Sequence, residues 1–357
     1  MKFKKQKFKI KNLIIGSTLI FSSLCFAQQS RIGVHDPVMI KQGDKYYIFA
    51  TGMGIDVWSS SDMKNWTREK PVFDAPPQWA VNIMATFALN DRSVGLFRPF
   101  GGHIWVPDIS LHNGVYHLYY SVSAFGKNTS CIGLATNRTL NPSDPNFEWV
   151  DHGPVICSRP DMDNWNAIDP NLLYGEDGFP CLIWGSFWDG LQIVRLTDDL
   201  KRVHPRSMPV TIASRKTDVN MPNPPSIDNN PVDAGGNAIE APFVIRKGKY
   251  FYFFASIDYC CKGVNSTYKM IYGRSEKIMG PYLDREGKSM RTGGGSILMT
   301  GDENWHGVGH NAVATVDGKD YLLFHAYDAN DNGISKLRIF ELLWDNDNWP
   351  VVGNSIY

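Results

Sequence analysis

The sequence predicts an all-β protein, a five-bladed β-propeller forming a single domain. Three observations point there. Five polar residues recur at the same kind of place, just ahead of a short apolar-aromatic strand pattern: Asp36, Asp108, Asp169, Glu240 and His310, at intervals of 72, 61, 71 and 70 residues. Each is followed by a turn signal inside a strand–turn–strand pattern. The composition, with 32 glycines and 13% aromatics, suits many turns around a sizeable core. A strand-rich repeat of this length is the size of a propeller blade.

The blades read in order. The first has its turn at Gly43-Asp44, then strands over Lys45–Phe49 and Ile55–Ser60, and an outer strand near Trp66–Glu69. The second turns at Asn113-Gly114, with strands over Val115–Tyr120 and Cys131–Ala135 and an outer strand near Trp149–Gly153. The third turns at Asp177-Gly178, with strands over Phe179–Trp184 and Leu191–Leu196. The fourth turns at Gly248, with strands over Tyr250–Phe254 and Lys269–Arg274. The fifth turns at Asp317-Gly318, with strands over Tyr321–Phe324 and Lys336–Leu342. Two stretches interrupt the pattern, residues 71–104 and the Pro- and Asn-rich 215–237. Long loops in compact folds are often functional, and these two are expected at the rim of a cleft.

The formal net charge is zero over 357 residues. That removes the electrostatic case for nucleic acid or an anionic membrane as partner. Residues 1–27 read as a signal peptide: a lysine-rich start, an apolar run from Leu13 to Phe26, and a small-x-small site at Cys25-Phe26-Ala27. Export to the periplasm or beyond is expected, with the mature domain at 28–357. The run is short for a transmembrane anchor. Lipid attachment at Cys25 is disfavoured by Leu24 just before it. The other cysteines are odd in number and lack metal-site spacing. Cys260-Cys261 reads either as a vicinal disulfide or, more simply, as two partly buried thiols, and no disulfide framework is required at this size.

The common phase aims the five polar residues at one axis. Asp36, Asp169 and Glu240 each stand beside a Pro or Ala-Pro. A single Asp-Pro is ordinarily a turn. Several carboxylates sharing one axial pocket are the equipment for glycoside hydrolysis, where one acts as acid and another as base or nucleophile. Asp108, inside Trp105-Val106-Pro107-Asp108-Ile109, reads as an anchor of the strand or as the residue that orients Trp105 more than as a reacting group. His310 reads as a hydrogen-bonded structural residue or as the ligand of a buried hydrated cation. Trp105 and Phe125 are the leading candidates for stacking on sugar rings, with Trp58, Trp165 and Trp188 behind them. Asn166 and Ser186 are placed to hydrogen-bond sugar hydroxyls.

These motifs together resemble the arabinanases of glycoside hydrolase family 43. They are His35-Asp36-Pro37, Trp105-Val106-Pro107-Asp108-Ile109, Ser123-Ala124-Phe125-Gly126, Asn166-Ala167-Ile168-Asp169-Pro170, Ile239-Glu240-Ala241-Pro242, Cys260-Cys261-Lys262-Gly263-Val264 and Gly309-His310-Asn311. The resemblance runs from His35 to about Trp344. It implies a five-bladed propeller and an inverting endo-acting hydrolase of α-1,5-linked arabinan. Asp36 would be the general base, Glu240 the general acid, and Asp169 the residue that tunes and positions Glu240; the two aspartates would be kept ionised. Trp105, Phe125, Asn166 and Ser186 would bind arabinose units, and His310 would sit by a mostly water-coordinated calcium ion. The expected partner is plant cell-wall arabinan or its oligosaccharides, met by a monomer. The alternatives are an exo-acting arabinofuranosidase or β-xylosidase on the same fold, and a non-catalytic sugar-binding propeller, which would have no need of three axial carboxylates.

Overall fold

Two-residue turns in which both central residues take positive φ twist with the strands they join, and so close tight hairpins. Asn113-Gly114 (φ 48° and 75°) and Asp317-Gly318 (φ 51° and 79°) are such turns. In the computed structural model, which describes residues 31–83, 100–160, 162–218, 221 and 237–357, every expected hairpin seeds one antiparallel sheet.

Blade 1 contains β1 (Val38–Gln42), β2 (Lys45–Ala50), β4 (Asp56–Ser60) and β5 (Thr67–Arg68). Blade 2 contains β6 (His103–His112), β7 (Val115–Val122), β8 (Ser130–Asn137) and β9 (Val150–Ser158), joined at its inner edge by the short β3 (Gly52–Met53). Blade 3 contains β10 (Asn171–Tyr174), β11 (Pro180–Trp184), β12 (Leu191–Arg195) and β13 (Val210–Ala213). Blade 4 contains β14 (Ile239–Lys247), β15 (Tyr250–Ile257), β16 (Lys269–Ser275) and β17 (Ser296–Met299). Blade 5 contains β18 (Trp305–Val316), β19 (Lys319–Asp328), β20 (Ile334–Trp344) and β21 (Pro350–Ser355). The fold is the predicted five-bladed β-propeller.

The apolar cores lie between neighbouring blades. Tyr47, Phe49 and Val57 of blade 1 pack with Ile109, Leu118 and Tyr120 of blade 2. Phe251 and Phe253 of blade 4 meet Ile183 and Ile193 of blade 3. Met39 and Ile48 of blade 1 meet Leu323 and Ile339 of blade 5, which joins the last blade to the first. Both chain ends also close the ring on β20. Leu337 N–H donates to Ile32 O, and Ile356 N–H donates to Ile339 O. The segment before Asp36 therefore bridges to the last blade, Gly33 pairing with Lys336.

Where each blade meets the axis, one residue adopts a left-handed conformation: Asp36 (φ 53°), Val106 (45°), Asp169 (60°), Ala241 (56°) and His310 (51°). Proline follows in four of the five. This corrects the phase expected from sequence. Asp108 stands two residues past the left-handed position and Glu240 one residue before it. Only Asp36, Asp169 and His310 share the phase.

Each left-handed N–H is held by the preceding blade. Asp36 N–H donates to His325 Nδ1, Val106 N–H to Thr51 Oγ1, Asp169 N–H to Ser121 Oγ and His310 N–H to Ser256 Oγ. All four acceptors lie at or near the axial end of the second strand of their blade, at one phase. In blade 3 that phase is Gly185, which has no side chain, and a Cβ there would meet Gly190 O at 2.7 Å. Asp169 takes over: its Oδ2 accepts Ala241 N–H at 2.9 Å.

Two residues past the left-handed position a second stitch forms. Asp108 accepts Leu172 N–H at 2.8 Å, and Asn171 Oδ1 accepts Val244 N–H at 2.9 Å. Asn171 Nδ2 also donates to Asp108. Asp108 is therefore the anchor it was read to be.

The cysteines differ from expectation. Cys131–Cys157 and Cys260–Cys261 are disulfides, and Cys181 is buried and free. Cys131 and Cys157 lie directly opposite each other on β8 and β9, a register that places their Cβ atoms within bonding reach.

Asn171→Ala strands a buried N–H on Val244 and removes a donor from Asp108. It should destabilise the protein by about 1–3 kcal/mol in chemical unfolding. An unchanged unfolding midpoint would show that the stitch contributes nothing.

Candidate active site

The axial ends of the blades open into a cleft of about 530 Å³ lined by His35, Asp36, Trp105, Phe125, Asp169 and Glu240, among others. That volume is in the range of small-ligand sites. The three carboxylates that the sequence brought forward as reacting groups thus share one cleft.

Asp36 is buried at the mouth of the axis. Its Oδ2 accepts the Thr51 hydroxyl at 2.6 Å, and its Oδ1 lies 2.8 Å from His35 Nδ1 and 3.0 Å from His310 Nδ1. Burial opposes its charge, but the His310 and His35 rings outweigh burial and hold the carboxyl well below the usual range. His310 shows the reciprocal effect. Burial pushes it down, yet Asp36 in contact, with Asp169 and Glu240 nearby, raises it to about 9. An ionised carboxylate at Asp36 thus faces a protonated imidazole at neutral pH.

Asp169 does not stay ionised as expected. Burial raises it to about 8, with the like charge of Glu240 adding to burial and His310 opposing it. Through Oδ2 on Ala241 N–H, Asp169 also fixes the backbone that carries Glu240.

Glu240 is held from both sides. Tyr268 donates its hydroxyl to Oε1 at 2.6 Å and Ser186 donates to Oε2 at 2.6 Å. The bulge in β14 between Glu240 and Phe243 turns that side chain into the cleft.

The remaining predicted residues divide. Trp105 lines the cleft with its indole N–H on His103 Nδ1 at 2.8 Å, and Phe125 is 72% exposed on the rim. Asn166 is buried at the cleft, and its Oδ1 has no protein partner, so it can receive a ligand hydroxyl. Ser186 is committed to Glu240. Trp188 lines the cleft but is buried. Trp58 and Trp165 lie elsewhere: Trp165 packs edge-on against Trp184, and Trp58 packs against the core between blades 5 and 1. Asp108 lies below the cleft in the axial channel, where burial raises it to about 7. Residues 84–99 of the first loop expected at the rim, most of the second, and the signal segment fall outside the described residues. His103, near the end of the first of those loops, and Trp105, just after it, do line the cleft.

Sequence reading missed Tyr268, Thr51, His325 and Tyr327. Thr51 and His325 carried a usable signal, since a small polar residue or histidine closes the second strand in four blades. Tyr268 precedes β16 with no such pattern to mark it.

A propeller with ionisable carboxyls gathered at one end of its axis, in a cleft walled by aromatics, has the form of a glycoside hydrolase. The pattern of glycosyl hydrolases family 43 matches residues 31–350. The chain is 46% identical to a Cellvibrio japonicus protein named extracellular exo-α-(1→5)-L-arabinofuranosidase, over 94% of this chain and 90% of that one. It is 42% identical to the Bacillus subtilis extracellular endo-α-(1→5)-L-arabinanase 1, over 94% of each. The structure of Cellvibrio cellulosa α-L-arabinanase complexed with arabinohexaose superposes with a TM-score of 0.82 at 44% identity, covering 90% of this chain and 96% of that one. The chain belongs to glycoside hydrolase family 43.

Proposed function

We propose that this protein hydrolyses α-1,5-L-arabinofuranosidic bonds of arabinan and arabino-oligosaccharides with inversion, Asp36 acting as general base and Glu240 as general acid. The observation that carries this reading is the pairing of an ionised Asp36 with a Glu240 gripped by two hydroxyls in one cleft. An inverting enzyme places a water between its base and the anomeric carbon. Asp36 takes the proton of that water as the new C–O bond forms. Glu240 gives its proton to the departing oxygen, and the ring passes through an oxocarbenium-like state. Trp105 and Phe125 supply faces for furanose rings, and Asn166 supplies an acceptor for a hydroxyl.

For the mode of attack, release from chain ends is the first reading. The relative named exo-acting is more similar to this chain than the relative named endo-acting, at 46% against 42% identity. Internal cleavage, expected from the sequence, is the second reading, and the Bacillus relative supports it. Export fits the disulfides, which persist in oxidising compartments, and both relatives are named extracellular. We assign a monomer.

We also assign a hydrated divalent cation, calcium, to the axial channel beneath the cleft. A cavity of about 20 Å³ there is lined by Asp36, Asp108, Asp169, His310 and Asn311. Both amide atoms of Asn311 are buried without a partner, and the cavity shares Asp36, Asp169 and His310 with the cleft above it, where the waters of a hydrated ion would lie. The oxygen donors and His310 would hold the ion mostly through water, the ion's charge taking the place of the proton that Asp36 otherwise keeps on the imidazole. When bound, the ion supplies positive charge beneath the carboxylates.

Asp36→Ala and Glu240→Ala should each lower turnover on debranched arabinan by about 10²–10⁴-fold or more. Asp169→Asn should keep its melting temperature, lose most activity and shift the basic limb of the pH profile, because a carboxyl that burial raises to about 8 is gone. Substantial activity in either alanine variant would sink the assignment.

The time course of products on linear arabinan should show short products of one size from the outset, with slow loss of viscosity. A fast viscosity drop with mixed oligosaccharides would establish internal cleavage instead. Chelation should lower both melting temperature and activity, and calcium should restore them. A chelated protein with unchanged melting would overturn the cation assignment.

A further inference from the structure

The cleft contains a group that this mechanism has not used. Cys260 and Cys261 are joined to each other and line the cleft facing His35. The bond ties together two consecutive residues, the second of which is left-handed (φ 67°), and so limits the directions its backbone N–H can take. That N–H donates to the hydroxyl oxygen of Tyr327 at 2.7 Å. Tyr327 is buried on β19. With its oxygen accepting from Cys261 and from the Ser266 hydroxyl, its own proton is free for His35 Nε2, at 3.0 Å.

An imidazole that accepts at Nε2 carries its hydrogen on Nδ1. His35 Nδ1 stands 2.8 Å from Asp36 Oδ1. The opposite tautomer would set a nitrogen lone pair against the carboxylate. His325 stacks on the His35 ring at 3.8 Å and fixes its plane. Three hydrogen bonds therefore run in one direction, from the disulfide loop through Tyr327 and His35 to Asp36.

We propose that the Cys260–Cys261 loop, Tyr327 and His35 form a positioning relay that selects the His35 tautomer and aims the Asp36 carboxylate at the attacking water. The proposal rests on the assignment of Asp36 as base. Tyr327, His35 and the disulfide are positioning residues: they act through Asp36 and transfer no proton of the reaction.

The test is steady-state kinetics on linear arabino-oligosaccharide, with folding followed by circular dichroism melting. Tyr327→Phe keeps the ring and loses the hydroxyl. It should lower kcat about tenfold, the order expected for a misaimed catalytic group, with KM unchanged. Replacing both cysteines by serine should act in the same direction. His35→Leu should cost more, and His35→Asn should recover part of the loss, because its amide N–H takes the place of Nδ1–H.

The deciding comparison is the double variant. An asparagine amide needs no tautomer selection, so Tyr327→Phe should cost nothing further when combined with His35→Asn. An equal loss from Tyr327→Phe in both backgrounds would overturn the relay, as would an unchanged kcat in the single variant. If Tyr327→Phe does not fold, the His35→Asn and His35→Leu pair decides alone, and equal activities there would overturn the relay. Failure of the base assignment is distinguishable, since it would show as retained turnover in Asp36→Ala.

Discussion

A left-handed backbone costs a non-glycine residue about 1–2 kcal/mol, and this chain carries one at the axial end of every blade. The rest of the site depends on that constraint. The turn swings the residue at the end of the strand toward the axis, and the proline that usually follows returns the chain to an extended path. The strain persists because the preceding blade supplies an acceptor to each left-handed N–H. The interlock that closes the ring is thus the same one that sets Asp36, Asp169 and His310 at the axis. Sites held by over-determined, strained backbone are common where geometry serves function.

One blade breaks the rule, and the break is informative. Gly185 cannot accept, so Asp169 reaches across to Ala241 N–H. A buried carboxyl that completes the ring also fixes the residue after Glu240. This gives Asp169 two tasks, structural and electrostatic. It explains why the carboxyl can be raised to about 8 and still be retained: an acceptor oxygen is needed there whether or not the other oxygen carries a proton.

Much of this was legible in the sequence. Turn chemistry at Asn113-Gly114 and Asp317-Gly318, with alternating strands, marked the hairpins, and the motif spacing counted the blades. Asp36, Asp169 and Glu240 were found as one group although their phases differ, because a shift of one residue is invisible in a repeat of about 70. The same blindness placed Asp108 in the cleft, when a shift of two residues puts it in the channel below. The Cys131–Cys157 pair was missed for another reason. Cys131 and Cys157 meet through strand register, which spacing alone does not reveal. Tyr268 escaped because its hydroxyl reaches Glu240 from outside the repeat.

The central claim is that Asp36 directs a water at the anomeric carbon from the face opposite Glu240. The stereochemistry of the first turnover tests it most directly. Proton NMR of the newly formed reducing end, taken in the first minutes on linear arabino-oligosaccharide, should show the β-L-arabinofuranose anomer before mutarotation. Appearance of the α anomer first would mean retention, and would make one carboxylate a nucleophile instead of a base.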